Sequence, residues 1–224
     1  MRLLNAARDF EDDVKGTRAR CPTLYVENHD HAQLASNAEG RGNWFRSQPW
    51  LIALYSTFGA VLCHNGQEQA DDYYMTESGD GRVVPRPVMW NRSDDPEAQT
   101  ARALQARLAA LRDQHPAMRS RNFYPDTWDG QWRRRVQGYG VDCDRGLAVY
   151  HRWAATGNSL ERIIVGLNFS DYGQTIDVQF SAAGTWNELL ESKPCAVGNS
   201  PDGCWLRGHQ VPRFWGRIFC LTTP

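Results

Sequence analysis

The most restrictive feature of the sequence is a short apolar segment that stops abruptly on ionisable side chains. Residues 24–26 read Leu-Tyr-Val and follow Pro22, a composition typical of a short buried strand. Asn28, His29 and Asp30 come almost directly after it. Because ligands of parallel α/β folds bind beyond the carboxyl ends of strands, these three side chains are the first candidates for chemistry.

A second segment of the same kind follows a predicted helix. That helix is expected to begin near Gln48, because Pro49 suits a first turn. Residues 60–63 then predict another short buried strand, which ends on the polar residues 64–68. Helices that alternate with such strands are typical of a parallel α/β sheet.

The rest of the first half is predicted from the spacing of its apolar residues and the positions of its glycines and prolines. Residues 3–14 have the spacing of an amphipathic helix, whereas residues 35–43 are predicted to form a polar loop. Residues 69–93 are predicted to be a long irregular segment. The Asp-Asp-Pro sequence at 94–96 predicts the start of a helix that Pro116 ends.

From about residue 119 the pattern changes to short strands separated by Gly, Asn and Asp turns. We predict strands over residues 146–153, 162–169, 175–180, 185–190, 204–211 and 214–221. Closely spaced strands of this number indicate an antiparallel β-sandwich. The sequence therefore predicts an α/β domain over residues 1–118 and an all-β domain over residues 119–224.

Charge and composition exclude some partners. A net charge of −1 gives no reason to expect nucleic acid or an anionic membrane as a partner, and no run is apolar enough to span a membrane. The three arginines at 133–135 are more typical of a solvated loop than of a phosphate site. Residues 1–15 lack the apolar core of a signal peptide, which favours a cytoplasmic location if Met1 is the native start.

The cysteine pattern argues against the common metal motifs. None of the six cysteines forms a C-x-x-C pair, and we expect most of them to be reduced and buried. A Cys195–Cys204 bridge in an oxidising compartment is the less favoured alternative. A metal site at His29, Asp30 and His31 is disfavoured too, because His29 and His31 share a face only if the strand continues and no further ligands are spaced nearby. The sequence thus predicts no metal site and no visible cofactor.

Four segments together resemble the alpha-amylase family of glycoside hydrolases, family thirteen. Residues 25–30, Tyr-Val-Glu-Asn-His-Asp, resemble the motif at the end of that family's seventh barrel strand. Residues 59–68 are similar to its eighth strand with the following Gly-Gln-Glu, and residues 86–90 resemble the Arg-Pro-Met-Trp stretch that comes next. Val-Gly-Leu-Asn-Phe-Ser at 165–170 resembles the family's carboxyl-terminal domain.

The resemblance implies the last strands and helices of a (β/α)8 TIM barrel, followed by an antiparallel β-sandwich. It also implies a retaining mechanism on α-glucosidic bonds, with Asp30 as transition-state stabiliser and His29 as a hydrogen-bond donor to the sugar. Asn28, Glu68 and Trp90 join them as implied substrate-binding residues. The residues alone leave structural roles open, with Glu68 in a solvated acidic loop and Trp90 as a plug for a small satellite core.

The resemblance also shows what this chain lacks. The family's nucleophilic Asp and acid/base Glu lie on earlier barrel strands, so the chain alone is expected to be inactive and to need the missing amino-terminal barrel portion. A calcium ion is an expectation only for the full-length parent, and Gln33 stands where many members carry Arg. The alternative is a stand-alone, non-catalytic carbohydrate-binding or interaction module. That alternative leaves the edge of a parallel sheet unpaired.

Overall fold

The structure, a computed structural model, describes residues 21–74, 79, 84–125 and 137–224. The predicted helix at 3–14 and the arginines at 133–135 lie outside these residues. None of the helices in the described ranges has both the length and the hydropathy that crossing a membrane requires.

The described chain begins with a short parallel sheet. Strand β1 (Thr23–Leu24) pairs with β2 (Ala60–Val61), and the Leu62 amide donates to the Leu24 carbonyl at 2.9 Å. Both strands are shorter than predicted. This pair is what the described residues show of the α/β sheet, and its place in a partial (β/α)8 barrel stays a prediction.

The other described elements of this half are helical. They are α1 (Leu34–Asn37), α2 (Gln48–Tyr55), α3 (Pro96–Gln114) and α4 (Pro116–Arg119), with 3-10 helices at Arg41–Ser47, Gln67–Gln69 and Trp90–Arg92. The predicted helix starts at Gln48 and Pro96 are confirmed. The Asp95 side chain does not cap α3, because its carboxylate pairs with the Arg41 guanidinium instead.

The predicted loop at 35–43 is wrong, because α1 and the first 3-10 helix occupy most of it. Apolar anchors explain the difference. Ala35 and, just beyond the segment, Trp44 are buried in the core and hold an otherwise polar stretch against it.

The second half is antiparallel, as predicted. Its strands are β3 (Phe123–Tyr124), β4 (Gly140–Asp142), β5 (Leu147–Thr156), β6 (Ser159–Asn168), β7 (Gln174–Phe180), β8 (Gly184–Glu188), β9 (Lys193–Val197), β10 (Cys204–Val211) and β11 (Trp215–Thr223). The large sheet has the order β3-β5-β6-β11-β8-β9, with β4 also paired to β5. Strands β7 and β10 form a separate two-stranded sheet.

The large sheet is buried on both faces. Along β6, Ile163 and Val165 face a core shared with the helices, whereas Ile164 between them faces the two-stranded sheet. Strand β11 alternates in the same way, with Ile218 on the helix side and Phe219 on the other. The helix-side core contains Met118 as well as Ile163 and Val165 of the large sheet, so the predicted boundary between residues 118 and 119 divides this core.

The cysteines are less buried than expected. Only Cys220 is buried, while Cys21, Cys63 and Cys143 are exposed, and all six are free thiols.

Two arginines bind backbone carbonyls of the helical half, one from the large sheet and one from α3. Arg152 of β5 is fully buried and donates to the carbonyls of Ser56, Ala117 and Ser120. Ser56 follows α2, Ala117 belongs to α4, and Ser120 follows α4. From α3, Arg112 donates to four more carbonyls, those of Tyr55, Thr57, Gly59 and Met118. Burial lowers the pKa of Arg152 to about 9, which still leaves the guanidinium charged at neutral pH and able to donate to these carbonyls.

We expect Arg152→Met to lower the free energy of unfolding by about 3–5 kcal/mol, because it leaves three buried carbonyls without a donor. Denaturant unfolding measures this loss. The matched control is Arg207→Met on β10, whose exposed guanidinium stacks on Trp205; we expect it to change stability by less than about 0.5 kcal/mol. Equal effects of the two substitutions would contradict the anchoring role.

Candidate functional site

The turn after β1 presents two ionisable side chains to solvent. The Asp30 amide donates to Asn28 Oδ1 at 2.9 Å, and the His31 amide reaches the Asn28 carbonyl at 3.4 Å. His29 Nε2 lies 3.6 Å from Asp30 Oδ2, with the two side chains 81% and 45% exposed. The structure thus brings Asn28, His29 and Asp30 together, with the Asn28 side chain shaping the turn rather than projecting from it.

Arg86 holds this turn from outside. Its guanidinium donates to the His29 carbonyl and, at 3.2 Å, to the His31 carbonyl. The sequence identified Arg86 only as part of a motif, without a role. In the structure it fixes the backbone on both sides of Asp30, so the third motif segment supports the first.

Gln33 connects the turn to the segment after β2. It exchanges backbone and side-chain hydrogen bonds with Tyr73, since Tyr73 N donates to Gln33 Oε1 at 2.8 Å and Gln33 N donates to Tyr73 O at 3.2 Å. Its Nε2 donates to the Asn65 carbonyl at 3.3 Å. The residue that departs from the family pattern is therefore a buried connector between two of the motif segments.

Glu27 is the residue that the sequence analysis missed. It immediately precedes Asn28, is only 2% exposed, and accepts a hydrogen bond from the Leu34 amide at the start of α1. Burial, reinforced by the nearby charges of Asp71 and Glu68, raises its pKa to about 7. An acidic residue placed between an apolar strand and its polar turn was the available signal.

A small, mostly apolar cavity with a few polar groups in its wall lies behind the turn. Its volume is about 10 Å³, which is room for roughly one water, and its lining includes Glu27, Gln67 and Asp71. Glu27 Oε1, Asp71 Oδ1 and the Gln67 amide have no hydrogen-bond partner among the described residues. A Cβ at Gly66, whose φ is +87°, would come within 2.4 Å of Asp71 Oδ2, so this turn requires glycine.

Glu68 and Trp90 lie on the segments that follow β2. Glu68 is half-buried on its 3-10 helix, and its charge acts on Glu27. Trp90 starts the next 3-10 helix with an indole that is 71% exposed. Arg86, four residues earlier, ties this segment to the turn. The substrate-binding roles of both residues stay predictions.

Comparison with known proteins shows which solved structures share this fold. No family model matches the chain, and no curated protein matches it. Solved structures do match: AmyP in complex with maltose superposes with a TM-score of 0.64 at 14% identity, over 89% of this chain and 40% of that one. The chain has the fold of the carboxyl-terminal part of an alpha-amylase.

Two further alpha-amylase structures agree. The noncanonic maltogenic alpha-amylase AmyB from Thermotoga neapolitana matches with a TM-score of 0.58 and 15% identity over 98% of this chain and 45% of that one. An Anoxybacillus alpha-amylase matches with a TM-score of 0.57 and 18% identity over 90% of this chain and 38% of that one. The chain thus spans less than half the length of each alpha-amylase.

The raised pKa of Glu27 makes stability depend on pH. Its folded-state pKa of about 7 lies above the ordinary value of 4.5, so the folded state holds the proton more tightly and stability falls as pH rises from about 4.5 to 7, by up to about 3 kcal/mol. We expect Glu27→Gln to remove most of this fall, because an amide does not titrate in this range. The amide oxygen still accepts the hydrogen bond from Leu34, so the local structure is kept. Thermal unfolding between pH 5 and 8 measures it.

A matched control is Glu39→Gln, which alters an exposed carboxylate and is expected to leave the pH profile unchanged. Burial also raises the pKa of Asp71, so a smaller slope of the same sign remains in Glu27→Gln. A full slope in that variant would contradict the assignment.

Proposed function

We propose that this chain supplies the carboxyl-terminal part of an α-glucan-active glycosidase or transglycosidase, including one face of its sugar site. In this proposal the nucleophile and the acid/base come from an amino-terminal barrel portion outside the chain. We assign no pair of carboxylates among the described residues to these roles, and we expect the chain alone to be catalytically silent. Residues 119–224 form the carboxyl-terminal β domain.

The observation that supports the proposal is the convergence of three motif segments on one turn. Arg86 donates to the backbone on either side of Asp30, and Gln33 links the same turn to Asn65 and Tyr73. The resemblance in the sequence depends on these same segments. Their contacts explain why the three motifs occur together, since two of them support the turn formed by the first. A strand end with an incidental histidine would not need such support.

The chemistry assigned to the turn follows from its exposure and preorganisation. In a retaining mechanism positive charge develops on the sugar ring as the glycosidic bond breaks. We propose that the Asp30 carboxylate binds ring hydroxyls and becomes more strongly attracted as that charge grows, while His29 donates to the same sugar. Bonds that tighten in the transition state raise the rate, whereas uniformly tight binding does not.

The proposed substrate is an α-linked oligo- or polysaccharide. Two of the matching structures are AmyP complexes, one with maltose and one with maltotriose. The exposed indole of Trp90 suits stacking on a sugar face, and Glu68 and Asn28 complete the proposed set of substrate-binding residues. A calcium ion is proposed only for the full-length parent, and we assign none of its ligands to residues of this chain.

The proposal predicts that the chain alone does not turn over maltoheptaose, and that turnover appears when the polypeptide encoded directly upstream is added. In that complemented enzyme, Asp30→Ala should lower kcat by about 10²–10³-fold, because a transition-state interaction is lost. Reducing-sugar release measures the rate. The control, Asp171→Ala, changes an exposed aspartate in a turn of the β domain and should have no effect.

Two outcomes would contradict this prediction. Turnover by the chain alone that Asp30→Ala abolishes would show that the site is complete. A soluble, cooperatively melting monomer that binds maltose, with no upstream coding sequence for barrel strands, would favour the carbohydrate-binding module.

The role of Arg86 gives a separate prediction. Arg86→Lys keeps the charge but lacks the planar fork that reaches two carbonyls, so the turn should be less well positioned and kcat/KM of the complemented enzyme should fall about 10-fold or more. Arg46→Lys is the matched control, since Arg46 pairs with the exposed Glu39. Equal kcat/KM values for the two variants would remove Arg86 from the site.

A further inference from the structure

A second group of ionisable side chains, separate from the residues of the proposed sugar site, lies where the helices meet the large sheet. His115 lies between α3 and α4, Glu161 is on β6, and Cys220 is on the neighbouring β11. His115 Nδ1, Glu161 Oε2 and Cys220 Sγ all lie within 4.8 Å of one another. We call these three residues the His115 cluster. The proposed function uses none of them.

The spacing of the three atoms resembles that of ligands around one metal ion. Nδ1 to Oε2 is 2.8 Å, Sγ to Nδ1 is 3.7 Å and Sγ to Oε2 is 3.9 Å. Around a tetrahedral Zn²⁺ with ordinary bond lengths, such pairs are about 3.3–3.6 Å apart. A metal ion would therefore need shifts of only about half an ångström, chiefly a parting of the imidazole and the carboxylate.

The surroundings hold the ligands in place. Glu161 uses its other oxygen, Oε1, to accept from the Ala117 amide at 2.8 Å in the first turn of α4, so the carboxylate orientation is fixed without using Oε2. His115 is fixed by the turn between the helices, and Cys220 by a central strand. Such support is typical of metal sites.

Charge also favours a divalent ion. A thiolate and a carboxylate carry two negative charges, and a neutral imidazole adds none, so a divalent cation gives a neutral site in a mostly buried position. The His115 side chain is 20% exposed, which leaves a path for the ion and for a fourth ligand from solvent. The mixed nitrogen, oxygen and sulfur set suits zinc better than magnesium or calcium.

A nucleophilic triad is the rival explanation, and the geometry opposes it. In a Cys-His-acid triad the thiol and the carboxylate contact different imidazole nitrogens. Here both approach the same nitrogen, Nδ1.

We propose that the His115 cluster binds one Zn²⁺ ion that joins the α3–α4 turn to strands β6 and β11. On binding, Cys220 Sγ, His115 Nδ1 and Glu161 Oε2 each form a bond to the ion. The thiol proton of Cys220 leaves to solvent, and the imidazole proton moves from Nδ1 to Nε2. No electron transfer is involved.

The test uses Co²⁺ as a spectroscopic probe on the full 224-residue chain. We expect one equivalent of Co²⁺ to produce visible d–d bands of a tetrahedral site and a near-ultraviolet band from sulfur-to-cobalt charge transfer. Zn²⁺ should abolish both bands by displacement and raise the midpoint of thermal unfolding, whereas Mg²⁺ should do neither. Absence of the charge-transfer band in the wild-type chain would overturn the proposal.

Variants separate the cluster from other thiols. Cys220→Ser should lose the charge-transfer band, and Cys63→Ser, which alters an exposed cysteine, should keep it. Because Cys220→Ser alters the core, His115→Gln serves as a second variant; its amide can still donate to Glu161, but it offers no ring nitrogen. With circular dichroism confirming the fold, a band that persists in His115→Gln or disappears in Cys63→Ser would refute the assignment.

Discussion

The structure depends on buried guanidinium groups that bind backbone carbonyls instead of carboxylates. Arg152 and Arg112 together donate to seven carbonyls. These carbonyls lie at the end of α2, in the segment after it, and in or just after α4. Neither arginine has an acidic partner among the described residues. The last carbonyls of a helix otherwise need water or a cap, so these contacts allow helix ends to be buried against a sheet. Arg86 does the same at the sugar-site turn.

The hydrogen bonds from arginines to backbone carbonyls also connect the helical half of the chain to the large sheet. Helix α2 packs on the large sheet, α3 supplies Arg112, and α4 begins at the Glu161 carboxylate. The turn after β1 is tied in turn to the segments on either side of the 3-10 helix at Gln67–Gln69 through Gln33 and Arg86. One core thus contains side chains of the parallel strand pair, the helices and the large sheet.

Regular patterns in the sequence were sufficient for the long elements. Strand β10 was predicted with its observed bounds, and α2 and α3 start where proline suits a first turn. The short strands β3 and β4 carry too few residues for a period, and β9 contains Pro194, which an edge strand tolerates. At the site, motif order identified the Asn28-His29-Asp30 turn, but the burial of Glu27 and the partners of Arg86 depend on distant segments. The His115 cluster joins residues separated by 46, 59 and 105 positions, which no local spacing reveals.

The two buried faces of the large sheet have a consequence for modularity. A β-sandwich with one face in water can be moved between proteins by cutting at a linker. Here a cut between residues 118 and 119 would strip α2, α3 and most of α4 from Ile163, Val165 and Ile218, leaving an apolar surface in water. Recombination of this domain in evolution or in the laboratory would therefore have to carry its helices along, or replace them with another apolar cover.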